Sequence, residues 1–275
     1  MAKDHNEMSF LDHLEVLRWT LIRSTLAVFS FGIIAFIFKK FIFDKIILLP
    51  KDPNFFTYRF LCSISQKFGT EGLCISEIPF IVQSRTMAGQ FSAHIWTSIT
   101  AGFILAFPFI IWEVWKFIKP GLYPSERKHA KSFIIISSFL FFLGVLFGYY
   151  VITPLSINFL GAYRVADEVH NNIDLSSYIG LLRASVLSSG LIFEMPIIIY
   201  FLAKLGLVTP EFLRKYRKYA LVLVLILAAL ITPPDVISQI IVAIPMMILY
   251  ETSIIITKMI VRKEKKAEEK SIQKV

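Results

Sequence analysis

Phe117-Ile118-Lys119-Pro120-Gly121-Leu122-Tyr123-Pro124-Ser125-Glu126-Arg127-Lys128-His129-Ala130-Lys131 separates two long apolar runs. A link between membrane spans need only turn the chain, and Pro120, Gly121 and Pro124 suffice for that. This one also carries an aromatic pair, Phe117 and Tyr123, and a single carboxylate, Glu126, among cations. That chemistry points to recognition of something at a membrane surface.

The apolar runs on either side set the class. The 275-residue chain is 56% hydrophobic, with a mean hydropathy of +0.65. Several runs approach the roughly 20 residues that cross a hydrocarbon core of about 30 Å. The fold class is therefore an all-α membrane protein. The net charge of +9 would suggest nucleic acid in a soluble chain. Here the cations cluster at the ends of apolar runs, as orientation in a bilayer and anionic lipid require, and no nucleic-acid partner is expected. The first 18 residues are polar and Lys39-Lys40 follow the first run, so the expectation is a retained span and not a cleaved leader.

Six spans are predicted, at 19–38, 93–118, 132–153, 181–203, 219–231 and 236–257. Together they form one transmembrane domain, 1–257. Ahead of the first, Phe10, Leu14, Leu17 and Leu21 recur at helical spacing, and Ser9 with Asp12 resembles a capping box. That piece is expected at the interface, running into the first span. Segment 39–92, broken by Pro50, Pro53, Pro79, Gly69 and Gly72, reads as an extracytoplasmic loop with short helices. Its two cysteines, Cys62 and Cys74, are either a disulfide or two free thiols. The fifth span is short, and Thr232-Pro233-Pro234-Asp235 ends it. The tail 258–275 is charged and expected to fray.

Lys and Arg orient the spans. Loop 119–131 has four, loop 204–218 five and the tail seven, whereas loop 154–180 has only Arg164. The alternation puts both termini in the cytoplasm. Segment 39–92 dissents with seven cations, but it is long and holds four acids. The absence of an obvious internal repeat argues against the common secondary-transporter plans.

The candidate polar sites are few. Glu194, in Phe193-Glu194-Met195-Pro196, falls within the fourth span, where an ionised carboxylate needs a partner or a water-filled cavity. It is either a polar site inside a groove or a protonated acid bonded to a neighbouring Ser or backbone. Glu113 has Lys116 one turn on, and Glu251 lies near interface water, so pairing or solvation accounts for both. Asp235 is placed to cap the sixth helix, and Thr232 and Gln239 could bond to a partner helix. Glu126 and Glu15 are each either a solvated ion pair or a receptor for an arginine-bearing peptide, because carboxylates take guanidinium bidentately. No HExxH, GxSxG, phosphate-binding loop or Cys/His spacing occurs, so no enzyme activity, cofactor or metal is expected.

Several motifs together resemble the TatC family, the multispanning subunit of the twin-arginine (Sec-independent) protein translocase. Phe10-Leu11-Asp12-His13-Leu14-Glu15-Val16-Leu17-Arg18 is similar to the family's His-Leu-x-Glu-Leu-Arg opening. Phe117, Pro120, Leu122, Tyr123, Glu126 and Arg127-Lys128 match its first cytoplasmic loop. Phe193-Glu194-Met195-Pro196, Thr232-Pro233-Pro234-Asp235 with Ser238-Gln239, Ala243-Ile244-Pro245 and Tyr250-Glu251 follow in order. The resemblance implies a concave, cup-like six-helix bundle in the bacterial inner membrane, transporting folded proteins on the proton gradient. It implies a site for twin-arginine signal peptides in which Glu126 meets the arginine pair. Phe117, Leu122 and Tyr123 would shape that site, with Glu15, Arg18 and Lys128 beside it. Glu194, with Gln239, would supply intramembrane polarity, Glu194 inside the concave face. Thr232, Asp235 and Gln239 would meet single-span TatA/TatB-type subunits, in a complex that also self-associates. One departure stands out: the family acid before Leu-Arg is Val16 here, and Glu15 lies one residue, about 100° of helix, earlier. The competing reading is a proton-coupled small-solute transporter using Glu194.

Overall fold

In hydrocarbon the backbone must satisfy its own polar groups, and helices do so within one segment. The computed structural model, which describes residues 10–67, 74, 80–119, 130–166, 168, 169, 171–232 and 235–272, is accordingly built from helices. Helix α1 (Phe10–Ile37) leads through α2 (Lys39–Ile42), a π turn (Phe43–Ile47) and a 3-10 turn (Leu49–Lys51) to α3 (Phe56–Lys67). Strand β1 (Ile81–Gln83) precedes α4 (Gly89–Ile118). Then come α5 (Ala130–Phe147), a π turn (Gly148–Ile152) and α6 (Thr153–Ala162). After β2 (Asn172–Asp174) the chain runs through α7 (Leu175–Phe193), α8 (Met195–Lys204), α9 (Pro210–Lys215), α10 (Arg217–Ile231) and α11 (Val236–Ile272).

Among the described residues five segments are long and apolar enough to cross a bilayer: His13–Ile37, Gly89–Ile118, Lys131–Ala162, Leu175–Lys204 and Ser238–Arg262. Helix α10 has 15 residues, a rise of only about 22 Å. Its neighbour α11 continues to Ile272, through the tail expected to fray. Lys, Glu and Ala from 258 onward are good helix formers, which favours continuation. The amphipathic start and first span are likewise one helix, the 28 residues of α1.

Two prolines reshape the spans. Pro154 cannot donate to the carbonyl four residues back, and its ring crowds that carbonyl. The chain answers with the π turn, and the Thr153 backbone N–H and hydroxyl both reach Gly148 O. The freed carbonyl, Tyr150 O, takes a hydrogen bond from the Thr57 hydroxyl of α3. The helix therefore passes the proline and reaches Ala162, beyond the expected end of the third span at 153. The fourth span is likewise longer than predicted. It begins at Leu175, where Asp174 accepts from Ser176 N as an N-cap. Pro196 then divides it into α7 and α8, with Glu194 at the joint.

In lipid, close van der Waals packing replaces the hydrophobic drive between helices, so small residues mark the crossings. A Cβ on Gly102 of α4 would lie 2.4 Å from Val28 O of α1. A Cβ on Gly144 would lie 2.6 Å from Ser189 O, and one on Gly148 2.6 Å from Ser185 O, where α5 and its π turn meet α7. Three apolar clusters pack between the helices among the described residues: Ile47, Phe80, Tyr178 and Leu182 at one end, Val224, Ala228, Val242 and Met246 in the α10–α11 hairpin, and Ile199, Leu213, Tyr250 and Ile254 at the other end.

The described part of segment 39–92 holds short helices, as expected, and is tied to the bundle. Tyr58, 1% exposed, places its hydroxyl 3.0 Å from the carbonyl oxygens of both Pro50 and Pro154. Tyr149 and Tyr178 donate to Ile46 O and Ile47 O, each at 2.7 Å, and so satisfy carbonyls at the end of the π turn. Cys62 and Cys74 are joined by a disulfide, Cα–Cα 4.4 Å. Strands β1 and β2 form a parallel pair, Ile81 opposite Asn172, tying this segment to the link before α7. Arg85 reinforces the tie: its backbone N–H donates to Asp174 at 3.1 Å and its guanidinium to Asn172 O.

Candidate functional site

The segments predicted to receive a peptide meet where α1 begins and α4 ends. On α1, His13, Val16, Leu17 and Thr20 form the less exposed stripe, whereas Leu14, Glu15, Arg18 and Trp19 are exposed. His13 stacks on Phe117, the rings 4.3 Å apart and 28° from parallel. The first turns of α1 and the last turn of α4, from which the 119–131 loop leaves, are thus in direct contact. Leu122, Tyr123, Glu126 and Lys128 lie outside the described residues.

One turn back along α4, Glu113 is 1% exposed, and a buried carboxylate is tolerable only with good partners. Arg23 Nη1 of α1 reaches its Oε2 at 3.2 Å, and Lys116 Nζ reaches its Oε1 at 2.5 Å. Lys116 also sits 3.7 Å from the Trp112 ring centroid, a cation–π contact. Each carboxylate oxygen has its own cation, and the pairing to Arg23 clamps α1 to α4 beneath the His13–Phe117 stack. Lys116 at i+3 was legible in the sequence; Arg23, 90 positions away, was not. A Glu113→Gln substitution is expected to cost about 1.5–3 kcal/mol of stability, the range for a lost charge-assisted bond. It should fall short of the roughly 3–5 kcal/mol for a fully buried pair, because the Arg23 and Lys116 side chains are 49% and 39% exposed and can rehydrate. Thermal unfolding in detergent measures it; an unchanged midpoint would show that the clamp adds nothing.

The exposed position of Glu15 bears on the departure from the family pattern. Val16, which takes the family acid's place, is on the same stripe as His13, while Glu15 is on the open flank with Arg18. A carboxylate at 15 therefore faces away from the stacked pair.

Glu194 is 7% exposed. Its Oε2 accepts from Ser137 Oγ of α5 at 2.7 Å, and its Oε1 has no hydrogen-bond partner among the described residues. The bond to a neighbouring serine is the arrangement the packing alternative requires; the free oxygen leaves capacity for a further donor. At the α10–α11 turn the polar atoms are engaged within the chain. Asp235 Oδ2 accepts from Ser238 N at 2.8 Å, Thr232 Oγ1 donates to Ala228 O at 2.8 Å, and Gln239 Nε2 donates to Leu225 O at 3.0 Å. The hairpin's outer surface is apolar, with Leu221, Ile240, Ile244 and Ile248 exposed. Glu251 pairs with Arg217.

These features define a multi-pass helical membrane protein with a polar and aromatic cluster at one end of two clamped helices. The family model described as Sec-independent protein translocase protein (TatC) matches residues 12–245. The chain belongs to the TatC family, as its motifs led one to expect. It is 43% identical over 266 residues to a Sec-independent protein translocase protein TatC of Blattabacterium sp. subsp. Periplaneta americana (strain BPLAN), covering 96% of this chain and 100% of that protein. It is 34% identical to the TatC of Desulforapulum autotrophicum over 99% of this chain and 93% of that one. A crystal structure of a twin-arginine translocase receptor, TatC, in DDM superposes with a TM-score of 0.67 at 34% identity, covering 89% of this chain and 99% of the other.

Proposed function

We propose that this chain is the signal-peptide receptor of a twin-arginine translocase, spanning the bacterial inner membrane six times with both termini in the cytoplasm. The observation that carries the reading is the His13–Phe117 stack. It joins the two segments whose motifs match the family's recognition elements, and the Arg23–Glu113–Lys116 clamp holds them there. Glu126, with Leu122, Tyr123 and Lys128 around it, takes the arginine pair. Phe117 gives the peptide an apolar seat, and Arg18 and Glu15 line the open flank. Glu194 provides a polar point for the inserted peptide, and the apolar outer face of the α10–α11 hairpin around Thr232, Asp235 and Gln239 receives single-span partner subunits. The chain itself performs no catalysis; the proton gradient drives transport of the folded passenger. The unit is residues 1–257, with 258–275 as a cytoplasmic tail.

A photocrosslinker at Phe117 tests the reading. An Arg-Arg peptide is expected to crosslink strongly and its Lys-Lys version about tenfold less. Lysine is a point charge and cannot reproduce the planar fork that meets a carboxylate. Equal yields for both peptides would remove the carboxylate from the recognition step.

A further inference from the structure

A cavity of about 550 Å³ lies between the later part of α1 and α5 and the earlier part of α4 and α7, at the end of the bundle that carries segment 39–92. Its size falls within the roughly 300–1,000 Å³ of small-molecule sites. The lining is mostly aliphatic and aromatic; Thr97 and Thr100 add hydroxyls, its only charged residues are two cations, Lys45 and Arg183, and it includes no Asp or Glu. Arg183 is the ninth residue of α7, inside a membrane-spanning segment, where a guanidinium calls for an anion. It lies 5.1 Å from the Trp96 ring, a contact that leaves its planar donors unfilled. Among the described residues no carboxylate is within ion-pair distance of Arg183 or Lys45. Thr97 also lines the cavity, and its buried hydroxyl has no hydrogen-bond partner among the described residues. Phe38, Phe41, Leu105 and Leu146 on the wall are exposed, so the cavity opens sideways onto the lipid-facing surface.

We propose that this cavity binds one anionic phospholipid, its phosphate held by Arg183 and Lys45 and an acyl chain lying along the apolar wall. The charge pattern selects the occupant. A water-soluble anion would meet the two cations but leave the apolar wall empty, and a partner helix would have to bring its own carboxylate to this depth. Long cationic side chains extend their heads toward the interface while their stems lie on apolar surface, which sets the phosphate at headgroup level and the acyl chain below it.

The test is native mass spectrometry of the purified full chain in detergent, with phosphatidylglycerol and phosphatidylcholine of equal acyl length as probes. The wild type is expected to retain phosphatidylglycerol about tenfold better. Arg183→Gln with Lys45→Gln should bring it down to the phosphatidylcholine level. Arg183→Lys, which keeps the charge, should preserve most of the preference, and unfolding midpoints of all variants show whether they are folded. Ala101→Trp, which fills the cavity, should weaken both lipids. Equal retention of the two lipids by the wild type would overturn the proposal, as would full retention by the folded double variant. Glycerol phosphate binding as tightly as the lipid would reduce the site to a free-anion site and overturn the acyl half. A photocrosslinker at Leu105 should yield a phospholipid adduct; a polypeptide adduct in its place would assign the cavity to a protein partner.

Discussion

Replacing Glu126 by alanine is expected to weaken binding of a twin-arginine peptide about ten- to a hundredfold, from about 1.5–3 kcal/mol per charge-assisted bond at about 1.4 kcal/mol per tenfold. Glu126 lies in the loop outside the described residues, so the expectation rests on its motif and on where the loop begins. Phe117 fixes that beginning against His13. Glu126→Gln keeps the acceptor oxygen and loses the charge, and should fall between wild type and alanine. Glu15→Ala should do much less, because Glu15 is on the exposed flank of α1 and off the stripe that holds His13. Titrated crosslinking of a labelled peptide resolves all three. Wild-type affinity in Glu126→Ala would end the assignment of this residue as the arginine acceptor, and a large loss in Glu15→Ala would show that the open flank takes part.

The second large effect is expected far from the peptide. Gly102→Ala would place a methyl 2.4 Å from Val28 O, 2.6 Å from Gly32 N and 2.8 Å from Gly32 Cα. All three are backbone atoms of α1, so no side chain can turn aside. The helix itself must move off α4, and overpacking of this kind costs about 1–3 kcal/mol. Position 102 is about 22 Å along α4 from Phe117 at 1.5 Å per residue, yet α1 is the same rigid helix that carries Arg23 and His13. Peptide crosslinking should therefore fall together with stability. Gly180→Ala is the control. Nothing lies within 4 Å of a Cβ there, and alanine in a helix interior should be neutral or stabilising by up to about 1 kcal/mol. Unfolding midpoints in detergent compare the two, and a Gly102→Ala midpoint matching that of Gly180→Ala would refute the close crossing.

Much of the fold was legible in the sequence because each span is a local decision. Hydrophobic length places a helix whatever surrounds it, and family motifs spread along the chain needed no geometry. The boundaries that came out differently were local too, but the two proline rules act in opposite ways. The third span was expected over 132–153, stopping just short of Pro154, yet a π turn and Thr57 absorb the proline's missing bond. Pro196 was read as interior, yet the helix divides there, with Glu194 at the joint. At Pro154 the donor for the freed carbonyl comes from another segment, which no window of sequence contains. The three-residue strands were invisible for the same reason: Ile81–Gln83 is a strand only because Asn172–Asp174 lies beside it.

The site divides along the same line. Glu126 and Phe117 stood out as a carboxylate and an aromatic in a basic link, and Lys116 was within one turn of Glu113. Arg23, which completes the clamp, is one of two arginines on α1 with nothing local to distinguish it, and Arg183 acquires its setting only where four helices place it in a cavity without an acid. By itself the sequence determined the membrane class, the presence of long apolar helices and the family, since these follow from composition, hydrophobic length and residues read in order. Only the tertiary structure decided that Glu113 is buried between two cations, that Val16 and not Glu15 shares the His13 stripe, and that α1 and α4 touch backbone to backbone at Gly102. Those outcomes depend on which helix face meets which neighbour, and in lipid that choice is made by close packing and the pairing of buried charge between residues far apart in the chain.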